Sequence, residues 1–308
     1  MKRNIYSKLW MIFFVLMGAA CTNQVEDAIP LSGQPIEFSV QSDWKEIPNT
    51  RSNDGKTQFT QNDEIQIFGF HKSSSGDEMK FMYRVGEPAR GQKVVFDGKD
   101  WNYSPKRFWP KEGTLDFYVG YPEYSVLNDE DNHRMTYEQT VNPLQLDLLW
   151  GVSPGHDCAT DRNTKVEVKM KHALAKVIIS FDPSLGEIKQ AKVSAYKAGY
   201  FSRTLTDGIP DWIVDDKTDI QTAILPSPEN QKRIGDAIVF ILPDKITGLK
   251  LIKLDGTEID VSDKIQNLEF EAGKLYNLKL YDLTKSKGVR KKNTNSRSIA
   301  MSVRCVSE

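Results

Sequence analysis

The chain has 308 residues, 41 Lys and Arg against 42 Asp and Glu, and 39% hydrophobic residues, enough to bury one large core or two ordinary ones. A formal net charge of −1 leaves no basic excess to neutralise a phosphate backbone, which excludes a nucleic-acid partner unless charge is strongly segregated. Three cysteines without a C-x-x-C pair, and the scattered His71, His133, His156 and His172, exclude a disulfide-stapled miniprotein, a zinc ribbon and any metal site legible in sequence.

Lys2, Arg3 and Lys8 lead into an unbroken apolar run from Leu9 to Met17, followed by Gly18, Ala19, Ala20 and Cys21. A transmembrane helix needs roughly 20 apolar residues, so residues 1–20 read as a secretory signal peptide. Small residues directly before a cysteine resemble a bacterial lipoprotein signal, although Gly18 stands where a Leu-like residue is usual. Lipidation of Cys21 is therefore expected, ahead of an ordinary signal peptide with an incidental cysteine. Cleavage there removes three cations and takes the net charge from −1 to −4. Residues 21–33 then form a tether. Its acidic pair, Glu26 and Asp27, is similar to signals that export lipoproteins to the outer face in some Gram-negative anaerobes, or simply belongs to a solvated tether.

From residue 34 onward the pattern has period two. Ile36, Phe38 and Val40 alternate with Glu37, Ser39 and Gln41; Ile65 and Ile67, then Leu115, Phe117 and Val119, then Val166, Val168 and Met170 form further rows. Val177 to Phe181, Ile238 to Leu242 and Leu249 to Leu254 are continuously β-rich. Asn53-Asp54-Gly55, Ser75-Gly76, Asp97-Gly98, Asp207-Gly208 and Asp255-Gly256 supply turns. Many short strands over about 250 residues predict an all-β protein of two β-sandwich domains, 34–180 and 181–283. The join is set near 180 because Gly151 to Thr164 reads as a loop and Asp182 to Gly186 as a turn or linker. Residues 284–308 begin as a basic linker containing Lys285, Lys287, Arg290, Lys291, Lys292 and Arg297. They end in a second alternating row, Ile299, Met301, Val303 and Cys305. An apolar strand on such a tether either complements a groove in a neighbour as a donor strand, folds back on its own domain, or is a remnant. Fold-back would allow Cys305 to pair with Cys158 in an oxidising compartment.

Enzyme signatures fail on inspection. Gly151-Val152-Ser153-Pro154-Gly155 fits G-x-S-x-G, but a hydrolase elbow needs a helix after the serine and an N–H from the next residue, and Pro154 has none. Asn128-Asp129-Glu130-Asp131-Asn132 lacks the sixth-position Gly of a calcium loop, and no phosphate-binding glycine loop is present. No catalytic residue, metal or cofactor is expected. Trp101, Tyr103, Phe108, Trp109, Tyr118, Tyr121 and Tyr124 crowd a short stretch. They are expected to be mostly core, with a glycan-binding surface lipoprotein as the alternative reading.

Several segments together resemble one family. Asn49-Thr50-Arg51-Ser52 with Phe59 to Ile65, then Asp100 to Tyr103, Trp109-Pro110, Leu115 to Tyr118 and Tyr121-Pro122 are similar to the opening of the fimbrillin-like proteins. Asp147-Leu148-Leu149-Trp150-Gly151 is similar to that family's D-L-L-W-A stretch, with Gly in place of Ala. His172 to Val177 and Ala272 to Leu278 are similar to its H-A-L-A-K-V and A-G-K-x-Y strands. The resemblance covers about residues 34–283. It implies two transthyretin-like β-sandwiches in a structural, anchoring or accessory subunit of surface fimbriae. The implied partners are other fimbrial subunits, the outer membrane through a lipid anchor, and a host glycan or protein. In such proteins a protease cuts after an arginine, the first strand leaves, and a neighbour's strand fills the groove. Here Arg51 stands at the cut and Ile36, Phe38 and Val40 mark the strand; the alternative is that this strand stays in place permanently.

Overall fold

A computed structural model of the chain describes residues 31–43, 58–129, 133–139, 144–203, 208–214, 219–226, 234–282 and 301–307. Among them every regular element longer than a single 3-10 turn is a strand. Cys21, Arg51 and Ile299 lie outside the described residues.

The first group of strands comprises β1 (Leu31–Pro35), β2 (Phe38–Ser42), β3 (Glu64–Lys72), β4 (Glu78–Met82), β5 (Gln92–Phe96), β6 (Trp101–Asn102), β7 (Phe108–Pro110), β8 (Thr114–Tyr121), β9 (Val126–Asp129), β10 (Arg134–Glu138), β11 (Leu149–Asp157) and β12 (Val166–His172). The second comprises β13 (Ala175–Phe181), β14 (Ile188–Tyr196), β15 (Ala198–Ser202), β16 (Ile220–Pro226), β17 (Ala237–Ile241), β18 (Ile246–Lys253), β19 (Glu258–Asp260), β20 (Leu275–Asp282) and β21 (Met301–Ser307). An eight-stranded sheet runs β2-β12-β11-β8-β3-β5-β6, with β4 also on β3. Its core takes Ile65 and Ile67 from β3, Leu115, Phe117 and Val119 from β8, and Val166, Val168 and Met170 from β12. These are the rows that period-two alternation predicts, all within 2% of full burial.

Central strands β3 and β8 are covered on both faces. Phe68, Phe70 and Tyr118 point the other way, into a second cluster with Trp150, Met135 and Phe201. That cluster is closed by a three-stranded sheet, β15-β10-β9. A third core fills the space between two four-stranded sheets, β17-β13-β20-β21 and β16-β14-β18-β19. The chain passes from the first sheet to these between His172 and Ala175. It later returns, because β15 pairs along its whole length with β10. Asp182 begins a 3-10 turn over Pro183–Leu185, where its carboxylate accepts the Ser184 N–H at 2.9 Å.

Two sequence expectations need correction. Gly151 to Thr164 is not all loop, since β11 continues to Asp157 and pairs with β8. Its Gly-Pro-Gly content is absorbed by a register shift between Ser153 and His156. A Cβ on Gly151 would lie 2.7 Å from Val168 Cγ1 and 3.0 Å from Met170 Cγ, so this glycine is a close-approach residue rather than a loop signal. The join also falls earlier than residue 180, since β13 already pairs with β17 and β20 of the second set. Strand β14 turns Ala191, Val193 and Ala195 inward, a row with too little apolar bulk to stand out in the alternation. Four of the foreseen turns carry their glycine at positive φ, Gly76 at 92°, Gly98 at 100°, Gly208 at 73° and Gly256 at 85°.

Candidate functional site

The first candidate is β2. It lies at the edge of the eight-stranded sheet and runs parallel to β12, with Phe38 opposite Val166 and Val40 opposite Val168. Ile36, Phe38 and Val40 are 0%, 3% and 8% exposed, which is what a clean alternation on a half-buried strand requires. Phe38 meets Phe117 edge-on with ring centroids 5.2 Å apart, and Tyr103 at 6.1 Å. The Tyr103 hydroxyl donates to the Ile36 carbonyl at 2.7 Å, and burial pushes its pKa up to about 12, so it remains a donor. Ile36 N–H donates to the Arg107 carbonyl at 2.9 Å and Val166 N–H to the Glu37 carbonyl at 2.8 Å. Before β2, strand β1 pairs antiparallel with β7. Burying three such side chains stabilises the attachment of β2 by about 5–9 kcal/mol, at ~1.5–3 kcal/mol each.

The C-terminal end of β2 is held by charge. Asp43 N–H donates to the Met170 carbonyl at 3.1 Å, and its carboxylate lies 3.6 Å from His172 Nε2. His172 Nδ1 is 2.6 Å from Asp147 Oδ2, and both side chains are buried. Burial pushes the imidazole pKa down, while Asp147 and Asp43 push it up, and the result lies above the ordinary 6.5. Burial likewise raises the Asp43 carboxyl, against the pull of His172. Nearby Lys176 is lowered to about 8 by burial, with Asp147 opposing. Asp147 and His172 each open a family-like motif, one before β11 and one ending β12, but nothing in the sequence pairs them. Their contact ties three segments of chain together at the exit of β2.

The second candidate is β21. Its backbone pairs antiparallel with β20 from Tyr276 opposite Ser307 to Asp282 opposite Met301, with Val303 opposite Leu280 and Cys305 opposite Leu278. It forms the outer strand of its sheet, so in this structure the tail is folded back onto its own chain. Cys158 is a free thiol, fully buried in the first core. Burial raises its pKa to about 12, which leaves it unreactive.

Ser153 does meet a histidine, with Oγ 2.9 Å from His156 Nε2, and Asp161 lies 3.9 Å from the other ring nitrogen. The contact is not that of a nucleophile. Ser153 Oγ donates to the Glu167 carbonyl at 2.7 Å, so His156 must be the donor to Ser153 and cannot accept its proton. The Gly155 N–H, the nearest amide after Pro154, is taken by Asp116 at 2.7 Å. The strand continues past the serine where an elbow would need a helix.

Of the crowded aromatics, Trp101, Tyr103, Trp109 and Tyr118 are buried and Tyr121 is half-buried. Phe108 is 36% exposed and Tyr124 54%.

Residues 50–295 match the family described as fimbrillin-like. No curated protein matches the chain. Among solved structures, a candidate cell adhesion protein of Bacteroides uniformis is 17% identical, with a TM-score of 0.53 over 89% of this chain and 98% of that one. Another from Bacteroides ovatus is 14% identical, with a TM-score of 0.53 over 88% and 95%. At these identities the likeness is one of fold. The fimbrial anchor protein Mfa2 of Porphyromonas gingivalis covers 89% of this chain and 96% of its own at 11% identity, but its TM-score of 0.41 carries no weight.

Proposed function

The chain belongs to the fimbrillin-like family, and from that premise we propose that it is a non-catalytic subunit of surface fimbriae, anchored by a lipid on Cys21 and joined to its neighbours by strand exchange. The observation that carries this reading is β2, an apolar edge strand near the start of the described chain, aligned along a groove made by β12 and Phe117. Cleavage after Arg51 would sever β2 from β3 and leave it held only by contacts that an incoming strand can reproduce; because Cys21 lies on the same side of the cut as β2, the lipid anchors the uncut chain and the cut body is held by its neighbours alone. The tail strand, in cis on β20 here, is the matching donor once it moves to a neighbour. Several acyl chains on one cysteine anchor stably where a single chain is marginal. We read the chain as two sandwich domains on the outer membrane, joined between β12 and β13.

Fimbriae sheared from cells and run unboiled test the reading. The wild-type chain should appear in the polymer ladder, and the chain lacking residues 285–308 should stay folded but be absent from it. The Cys21→Ser protein should leave the membrane fraction. Normal incorporation of the truncated chain overturns the donor role, and membrane retention of Cys21→Ser overturns the anchor.

A further inference from the structure

The solvent face of β9-β10-β15 floors an open groove of about 450 Å³. Its other face supplies Val126, Met135 and Phe201 to the core beside Trp150. Alternation therefore turns Leu127, Thr136 and Tyr200 outward, and the register sets these three side by side across the strands. Glu138 stands at one end, and Tyr124 with Arg90 forms the wall. Tyr124 sits at φ 67°, a region that tyrosine rarely adopts. Arg84 and Arg90 hold its ring from 4.4 and 4.5 Å, so a half-exposed aromatic is fixed in place at the groove.

We propose that this groove binds a neutral saccharide unit. Its size lies within the range of small-ligand sites. The floor mixes Leu127 and the Tyr200 ring with Thr136 and Glu138, which suits a sugar ring whose one face is C–H and whose rim is hydroxyl. Glu138 and Arg90 offer planar carboxylate and guanidinium groups able to engage adjacent hydroxyls. The charges are already matched: Arg84 with Glu123, Arg90 with Glu87 at 3.1 Å, and Glu138 with Lys197 at 2.5 Å. Arg134 lies over Tyr200 at 4.5 Å and faces Asp129 across the strands. No excess charge calls for an ionic ligand. An extended peptide is disfavoured because the sheet's outer edges are taken. Tyr200 and Ile213 exchange backbone hydrogen bonds at 3.0 and 2.7 Å, and Asn128 N–H donates to the Ala89 carbonyl at 2.8 Å.

The inference is independent of the assembly reading. Full-length protein in detergent is applied to a glycan array that includes neutral, sialylated and uronic oligosaccharides, and the best neutral ligand is then titrated by saturation-transfer NMR. Tyr124→Gly removes the wall while relieving the backbone, and Leu127→Arg fills the floor. Both should weaken binding at least tenfold with the thermal midpoint unchanged, and Tyr124→Gly should still enter fimbriae. The proposal is overturned if no neutral saccharide binds at millimolar concentration, if only acidic glycans or an extended peptide bind, or if both variants bind as the wild type does.

Discussion

If β2 is a separable strand, Phe38→Ala should weaken it by a calculable amount. The phenyl ring is 3% exposed and packs against Phe117 and Tyr103, and such truncations cost about 3–5 kcal/mol. The loss falls on every state in which β2 is seated. Opening free energies for β2 release and for global unfolding should therefore both drop by the same ~3 kcal/mol, about 150-fold in exchange rate. What the substitution leaves unchanged is the gap between the two, which is the stability of the body without β2. Native-state hydrogen exchange reads both quantities. The Val166 and Asp43 amides, bonded to the Glu37 and Met170 carbonyls, report release. Amides in the middle of β8 report the body. A gap of several kcal/mol, equal in wild type and variant, supports a removable strand. Exchange of Val166 and Asp43 together with β8 in both proteins would refute it, since β2 could then leave only by unfolding everything.

Gly151→Ala, which restores the residue usual in the family's motif, should destabilise this chain by roughly 1–3 kcal/mol through overpacking against Val168 and Met170. Urea unfolding checks this, and an unchanged midpoint would mean that β12 shifts freely. The His172 cluster predicts a pH dependence. A folded pKa raised above 6.5 contributes stability that is fully present below pH 6.5 and is lost as pH rises through the folded value. The advantage of wild type over His172→Asn should therefore shrink as the pH rises above 6.5, chiefly at the Asp43 amide. A difference that stays constant with pH would show that folding leaves the imidazole pKa unshifted, and one that grows as pH rises would show an imidazole kept neutral by burial.

The rows that sequence made legible are those whose side chains alternate without interruption and are buried on one face, such as Val166, Val168 and Met170. Strand β14 turns only Ala191, Val193 and Ala195 inward, too little apolar bulk to stand out, and β11 was hidden by Pro154, by Gly155 at positive φ and by Gly151, which serves packing rather than turning. The aromatic cluster looked uniform because composition does not tell which ring lies on which side. Phe108 and Tyr124 are the exposed rings among largely buried ones, and the φ of 67° at Tyr124 is a backbone feature that no residue type announces. Pairings across the chain were also invisible. His172 with Asp147 joins two motifs that were recognised separately, and β15 leaves the second set of sheets to pair with β10.

Strand exchange at β2 and β21, as proposed, is compatible with their place in the topology. Withdrawing an interior strand such as β8 would break hydrogen bonds on both sides and drag two connections through the core. Strands β2 and β21 each have one paired side, with β12 and β20 respectively. A strand placed this way breaks one ladder of hydrogen bonds when it leaves, and it leaves behind one row of unpaired backbone groups and one row of pockets spaced two residues apart. Those are the features that a strand from another subunit reads. The two edges differ in how tightly they are held. The segment of β2 with its flanking Ile36 and Asp43 carries three buried apolar side chains and the Asp43–His172 contact, an attachment too strong for frequent spontaneous loss. Cutting its covalent link to β3 changes that, because a released segment dilutes away and an attached one returns. Processing between β2 and β3 is therefore the step that would convert a stable monomer into an acceptor for the next subunit.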